Sequence, residues 1–198
     1  MIGNDVVDFA HRSTQPGAHN PRFDARVFSE RERALIAGDE TERVRWVLWA
    51  GKEAAYKAVK KLERAAVWAP SRFEVTLASR AAGSVRHGAR ELALRIDERD
   101  ALVHAVASAD CDGEALAEVA ESASEDLSAE ARELACRALA ARLGVARQRL
   151  SVAKRERIPV LLLDGEPAGA DLSLSHHGRF VAFACELGAR TSAARRAS

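Results

Sequence analysis

The chain has 198 residues, 47% hydrophobic and 30% charged, the composition of an ordinary soluble globular protein with one large domain or two small lobes sharing a core. Lysine and arginine (30) nearly balance aspartate and glutamate (29), so the net charge of +1 argues against a nucleic-acid module and against attraction to anionic membrane. Cys111, Cys136 and Cys185 are odd in number and far apart, which excludes a disulfide framework or a CxxC zinc site and suits a reducing cytoplasm.

Residues 1–9, rich in Val and Ile, read as a strand, followed by a loop over 11–21 that carries Pro16, Gly17, Asn20 and Pro21. No basic region precedes an apolar stretch there, so no secretory signal is expected, and no run is long enough to span a membrane. Ser29, with Glu32 three residues on, is a capping box opening a short helix through Ile36. From residue 43 to 62, Val44, Leu48, Ala55, Val59 and Leu62 recur at helical spacing without a proline, which predicts a helix with one buried stripe. Pro70 and Ser71 break the chain before a strand at 73–77, and strands at 91–96 and 101–108 are joined by a hairpin loop at 97–100. Residues 110–126 are acidic and aperiodic, which sets a first lobe at 1–110, a linker at 111–126 and a second lobe at 127–188. In that second lobe Ser128 caps a helix running to Leu143, with Gly144 as its stop. Strands at 150–153, 159–163, 171–175 and 180–187 follow, and 189–198 reads as a disordered tail. The element order predicts an α+β fold: two similar α+β lobes related by a pseudo-twofold axis, each a helix packed on a small antiparallel sheet.

On the predicted long helix, about 100° of rotation per residue puts Trp46, Trp49, Glu53, Lys57 and Lys60 opposite the aliphatic stripe. A carboxylate and a lysine one turn apart beside a tryptophan suit a metal-assisted phosphate site. On any exposed helix, the same pair is an ordinary ion pair worth about 0.2–0.5 kcal/mol. Asp5 and Asp8 fall on opposite faces of the first strand, so one can enter a given cleft while the other is a turn or capping acid. Near the other end, 172–175 alternate apolar and polar up to His176 and His177, which fit a cleft or a hairpin equally. An acid-rich stretch at 112–133 precedes a base-rich one at 137–157, either a solvated helix face or a basic wall for phosphates.

Gly3-x-Asp5 on a strand, Trp49-x-x-Lys52-Glu53-Ala54-x-x-Lys57 on a helix and Ser173-x-Ser175-His176 at a strand end, in that order, resemble the 4'-phosphopantetheinyl transferase superfamily. The resemblance implies transfer of the phosphopantetheine arm of coenzyme A to a serine of an apo acyl or peptidyl carrier protein, as in holo-acyl-carrier-protein synthases. It implies Asp5 and Glu53 as protein ligands of magnesium, an ion that prefers oxygen donors. Lys57 would hold the phosphates, Glu53 or a metal-held water would take the serine proton, and Ser175 and His176 would contact the coenzyme A phosphates across the cleft. Arg12, Arg22, Arg26, Arg31 and Arg33 would face the acidic carrier, the alternative being solvated surface arginines. The motif order is that of the short, trimeric holo-acyl-carrier-protein synthase type, while the length is that of the fused two-lobe type. A cytoplasmic, monomeric pseudodimer with its cleft between the halves is therefore expected.

Two departures stand out. Val7 occupies the position of a third acid common in fused members, so a water or Asn4 is expected to complete the metal shell. Glu166 stands where fused members often carry a lysine, and Lys154, with Arg155 and Arg157 as alternatives, is the cation expected to compensate in binding coenzyme A. The competing reading is a non-catalytic module that keeps the transferase fold and binds coenzyme A or a carrier without chemistry.

Overall fold

In a computed structural model that describes residues 1–18, 20, 22–109 and 115–188, the Val- and Ile-rich start of the chain forms an edge strand, β1 (Ile2–Asp8). Helices α1 (Phe23–Val27), α2 (Glu30–Ala37) and the 20-residue α3 (Arg43–Leu62) come next, and the capping box of Ser29 and Glu32 forms as its sequence predicts. Strands β2 (Phe73–Leu77), β3 (Ala82–His87), β4 (Arg90–Glu98) and β5 (Leu102–Ser108) complete an antiparallel sheet of order β1-β5-β4-β3-β2. The second half contains β6 (Leu116–Glu121), α4 (Leu127–Leu143), β7 (Leu150–Arg155), β8 (Ile158–Leu163), β9 (Glu166–Pro167), β10 (Ala170–His177) and β11 (Phe180–Leu187). These strands make two further antiparallel sheets, β10-β11-β6 and β7-β8-β9, so the fold is α+β as expected. Among the described residues, no helix is long and apolar enough to cross a membrane.

Besides α1 and β9, for which the sequence carries no expectation, three features depart from the sequence reading. Within the expected linker at 111–126, Leu116–Glu121 instead form β6 and pair with β11; apolar residues there recur every third position, so no strand alternation is visible. Strand β3 has one large apolar side chain, the buried Val85, and owes its close approach to β2 to Gly83, where a Cβ would stand 2.3 Å from the Thr76 carbonyl oxygen. Asp126, not Ser128, caps α4, its side chain accepting from the Ala129 N–H at 2.8 Å. Residues 111–114 of the expected linker and the expected tail at 189–198 lie outside the described residues.

The layers follow from strand alternation. Odd residues of β1 face α3, while Ile2 and Val6 pack on Ala182, Ala184 and Phe180 of β11; α4 covers the other face of that sheet through Val181, Phe183 and Cys185. Gly3 is the point of closest approach. A Cβ there would lie 2.0 Å from the Ala54 carbonyl oxygen and 2.7 Å from the Ala58 nitrogen, so the backbones of β1 and α3 touch.

The outward main-chain groups of β1, those of its even residues, are met by side chains instead of another strand. The N–H groups of Ile2, Asn4 and Asp8 donate to Asp171 (2.5 Å), Ser173 (3.0 Å) and His177 (3.0 Å) of β10, a constant offset in sequence that runs the two strands side by side in the same direction. The carbonyls of Ile2, Asn4 and Asp8 accept from Lys61 (2.6 Å), Lys57 (2.9 Å) and Thr14 (3.0 Å). At the opposite edge, the Val75 N–H donates to Glu32 at 2.7 Å, and Lys52 donates to the Phe73 carbonyl while pairing with Glu32 at 2.8 Å. Both members of that pair are fully buried.

Because the contact at Gly3 is backbone against backbone, Gly3→Ala cannot be absorbed by a rotamer change. It is expected to cost about 3 kcal/mol, the upper end for overpacking, as a shift in urea midpoint; a loss below about 0.5 kcal/mol would contradict the packing.

Candidate functional site

Gly3 brings α3 onto β1, and two residues further along the same strand face stands Asp5. Its carboxylate accepts from the Lys57 ammonium at 2.8 Å, and the same ammonium donates to the Asn4 carbonyl at 2.9 Å. Glu53, one turn earlier on α3, opens with Asp5 onto a cavity of about 210 Å³ whose walls include Val7, Trp46, Trp49 and His176. Trp46 is fixed by its indole N–H donating to the Thr14 carbonyl at 3.1 Å, and Trp49 is wedged between Phe23 and Trp68. Burial pushes the Glu53 carboxyl up to about 7, the negative charge of Asp5 adds to the rise, and the Lys57 cation opposes it.

Both histidines border this cavity but are engaged differently. His177 is a hairpin residue: Nδ1 accepts from the Asp8 N–H and Nε2 lies 3.1 Å from the Ser13 hydroxyl. His176 is exposed at the cavity, with its pKa lowered by burial and then by the Lys57 charge; the Lys154 ammonium on β7 pushes the same way. Asp8, on the other strand face, is buried and accepts from the Ala10 and Arg179 N–H groups; a Cβ at Gly178 would meet it at 2.4 Å. Asn4, expected as one way to complete a metal shell, shares that other face, and its amide donates to Ser175 at 2.9 Å. It therefore does not reach the carboxylates. Ser175 itself is buried with its hydroxyl engaged by Asn4.

Beyond Lys57, a second cavity of about 630 Å³ lies between the C-terminal half of α3, the β7–β8 hairpin and β10. Lys57, Lys60, Lys61, Arg64 and Arg157 line it, a concentration of cations that the near-neutral chain as a whole does not show. Arg64 pairs with Glu156 at 2.6 Å at the rim. Lys154 does not line this cavity. Lys61 and Arg64 were legible only as the continuation of Lys57 at helical spacing, and Arg157 as one of several cations near the hairpin.

A family model described as the 4'-phosphopantetheinyl transferase superfamily matches residues 1–117, more than half of the 198 residues. The chain belongs to the 4'-phosphopantetheinyl transferase superfamily. The match spans β1, α3 and the whole five-stranded sheet and ends inside β6. Among curated proteins, none matches the sequence. Transfer of phosphopantetheine from coenzyme A to carrier proteins is the general activity of this superfamily, and its members generally use a divalent metal.

The donors at the carboxylate cavity suit such an ion. Asp5 and Glu53 offer oxygen only, and their mutual repulsion is what a cation would relieve. Among the described residues no three His, Cys, Asp or Glu side chains gather as a metal cluster, so water and substrate oxygens would supply the remaining positions.

The raised Glu53 pKa has a stability signature. The folded state holds the proton above the ordinary value of 4.5, so stability from this group is complete below pH 4.5 and is lost as pH rises through about 7. With metal chelated, Glu53→Gln should therefore match the wild type near pH 4 and exceed it at pH 8, by at most about 3 kcal/mol in urea unfolding. Equal stability at both pH values would contradict the buried, carboxylate-facing environment.

Proposed function

We propose that the protein transfers the 4'-phosphopantetheine group of coenzyme A to a serine of an apo acyl or peptidyl carrier protein in a magnesium-dependent reaction of the holo-acyl-carrier-protein synthase type. The convergence of Asp5, Glu53 and Lys57 between two cavities, one of them ringed by cations, is the observation that carries this reading. Asp5 and Glu53 would hold the magnesium, which when bound would supply positive charge to the pyrophosphate. Lys57 sits between the carboxylates and the cationic cavity, suited to steer the phosphates there. Lys60, Arg64 and Arg157 receive the adenosine bisphosphate end, while His176 stands at the carboxylate cavity with Lys154 close enough to lower its pKa.

The carrier serine oxygen forms a bond to the β-phosphorus as the bond from that phosphorus to the bridging oxygen breaks. Adenosine 3',5'-bisphosphate leaves with the bridging oxygen. Glu53, or a metal-held water, takes the serine proton. Arg12, Arg22, Arg26, Arg31 and Arg33 are all exposed and, among the described residues, none is ion-paired, which leaves their charge available to an acidic carrier. The second half contributes His176 to the carboxylate cavity, so one chain supplies both sides of the cleft, and we assign a monomeric pseudodimer with lobes at 1–110 and 127–188, the latter completed by β6 from the segment between them. A reducing, cytoplasmic setting accords with Cys136 and Cys185 as buried free thiols.

A binding module without chemistry is favoured by one observation, the apolar Val7 on the cavity wall where a third acid would strengthen the ion's grip. The two readings part in a single assay. Incubation with coenzyme A, magnesium and apo carrier proteins should add the arm, seen as a mass increase, and Glu53→Gln should abolish transfer while leaving unfolding cooperative. Coenzyme A binding without product across several carriers would favour the module. In the active protein, Lys60→Ala with Arg157→Ala should raise KM for coenzyme A by at least about tenfold with kcat changed little, as expected for lost ground-state phosphate contacts. A fall in kcat at constant KM would contradict the assignment of the cationic cavity.

A further inference from the structure

Asn4 lies between Gly3 and Asp5 with no exposed surface, and three separate elements hold it. Its N–H donates to the Ser173 hydroxyl at 3.0 Å, its carbonyl accepts from Lys57 on α3 at 2.9 Å, and its side-chain nitrogen meets Ser175 at 2.9 Å and His104 Nε2 on β5 at 3.0 Å. Its side-chain oxygen is buried and has no partner. Burial holds His104 neutral, with a pKa near 4, so its Nε2 can accept from the amide. Burying an amide with one unmet oxygen is destabilising, a cost that an apolar residue of the same size would avoid. Such a residue makes sense where position matters more than stability.

What it positions is adjacent. The Lys57 ammonium that donates to the Asn4 carbonyl also donates to the Asp5 carboxylate, so a shift of residue 4 is passed to Asp5. Ser173 and Ser175 are both buried, each with its hydroxyl committed to Asn4. In the S-x-S-H motif His176 stands exposed at the carboxylate cavity, and the buried Ser173 borders the cationic one.

We infer that Asn4 is a positioning residue for the metal carboxylate Asp5, anchored by Ser173 and Ser175, and that these serines set the register of β1 against β10. The inference rests on the transferase reading and its Asp5–Glu53 metal site. Groups that orient a metal ligand typically control metal affinity by 10- to 100-fold, whereas phosphate contacts control nucleotide affinity.

The test measures two affinities on folded Asn4→Ala and Ser175→Ala variants: Mn²⁺ by electron paramagnetic resonance in the presence of coenzyme A, and coenzyme A by calorimetry with metal chelated. Mn²⁺ affinity is expected to fall at least about tenfold in both variants, with metal-free coenzyme A affinity within about twofold of wild type. Should Asn4→Ala fail to fold, Ser175→Ala decides alone, since it removes one hydroxyl. Unchanged Mn²⁺ affinity, or a loss of metal-free coenzyme A affinity in Ser175→Ala, would overturn the positioning role while leaving the transferase reading intact. A wild-type protein that binds neither Mn²⁺ nor coenzyme A would overturn both.

Discussion

A buried strand edge must have its N–H and C=O groups met, and in this protein side chains meet them on both flanks of the five-stranded sheet. On the β2 side, Lys52 and Glu32, fully buried and paired, take the Phe73 carbonyl and the Val75 N–H. On the β1 side, Asp171, Ser173 and His177 take the N–H groups, and Lys57 and Lys61 take the carbonyls. One helix, α3, thus reaches both edges with lysines. Slippage of β1 by one residue would strip these bonds and turn Asp5 to the wrong face, so the arrangement that satisfies the backbone also fixes the carboxylate.

The same lysines shape the electrostatics of the cleft. Lys57 neutralises part of the Asp5 charge and still faces the cationic cavity, so it stands at the boundary between a negative pocket and a positive one. Lys61 is nearly buried and held by Ile2, Asp171 and Leu172; burial lowers its pKa while Asp171 opposes the fall. Its charge is committed to joining the halves, which leaves Lys60, Arg64 and Arg157 as the more accessible cations. A carboxylate pair at one end and a basic pocket at the other is the charge pattern that a metal-bridged pyrophosphate would complete.

Much of this was readable in the sequence where one residue has one physical reason. The G-x-D and W-x-x-K-E-A-x-x-K patterns placed Asp5, Glu53 and Lys57 on elements of the right type, and the helix rotation put Trp46, Trp49 and Glu53 on one face. The sequence did not reveal that Lys52, adjacent to Glu53, points the opposite way into the core, because its partner Glu32 is distant in the chain and already explained as a capping residue. Nor did it reveal the roles of Asn4 and Ser175. Strand alternation alone sends Asn4 away from Asp5, but what awaits it there depends on β10, some 170 residues on, running beside β1. Strand β6 was missed because its threefold apolar spacing resembles neither strand nor helix.

Asp5 and Glu53 are proposed to grip one divalent cation on the wall shared with coenzyme A. Crystals grown with Mn²⁺ and coenzyme A, measured for the anomalous signal of manganese, test it directly. A single strong peak within coordination distance of both carboxylates, about 2.0–2.4 Å, is the predicted result. A peak elsewhere, or coenzyme A bound in the cationic cavity with the two carboxylates turned apart, would contradict it.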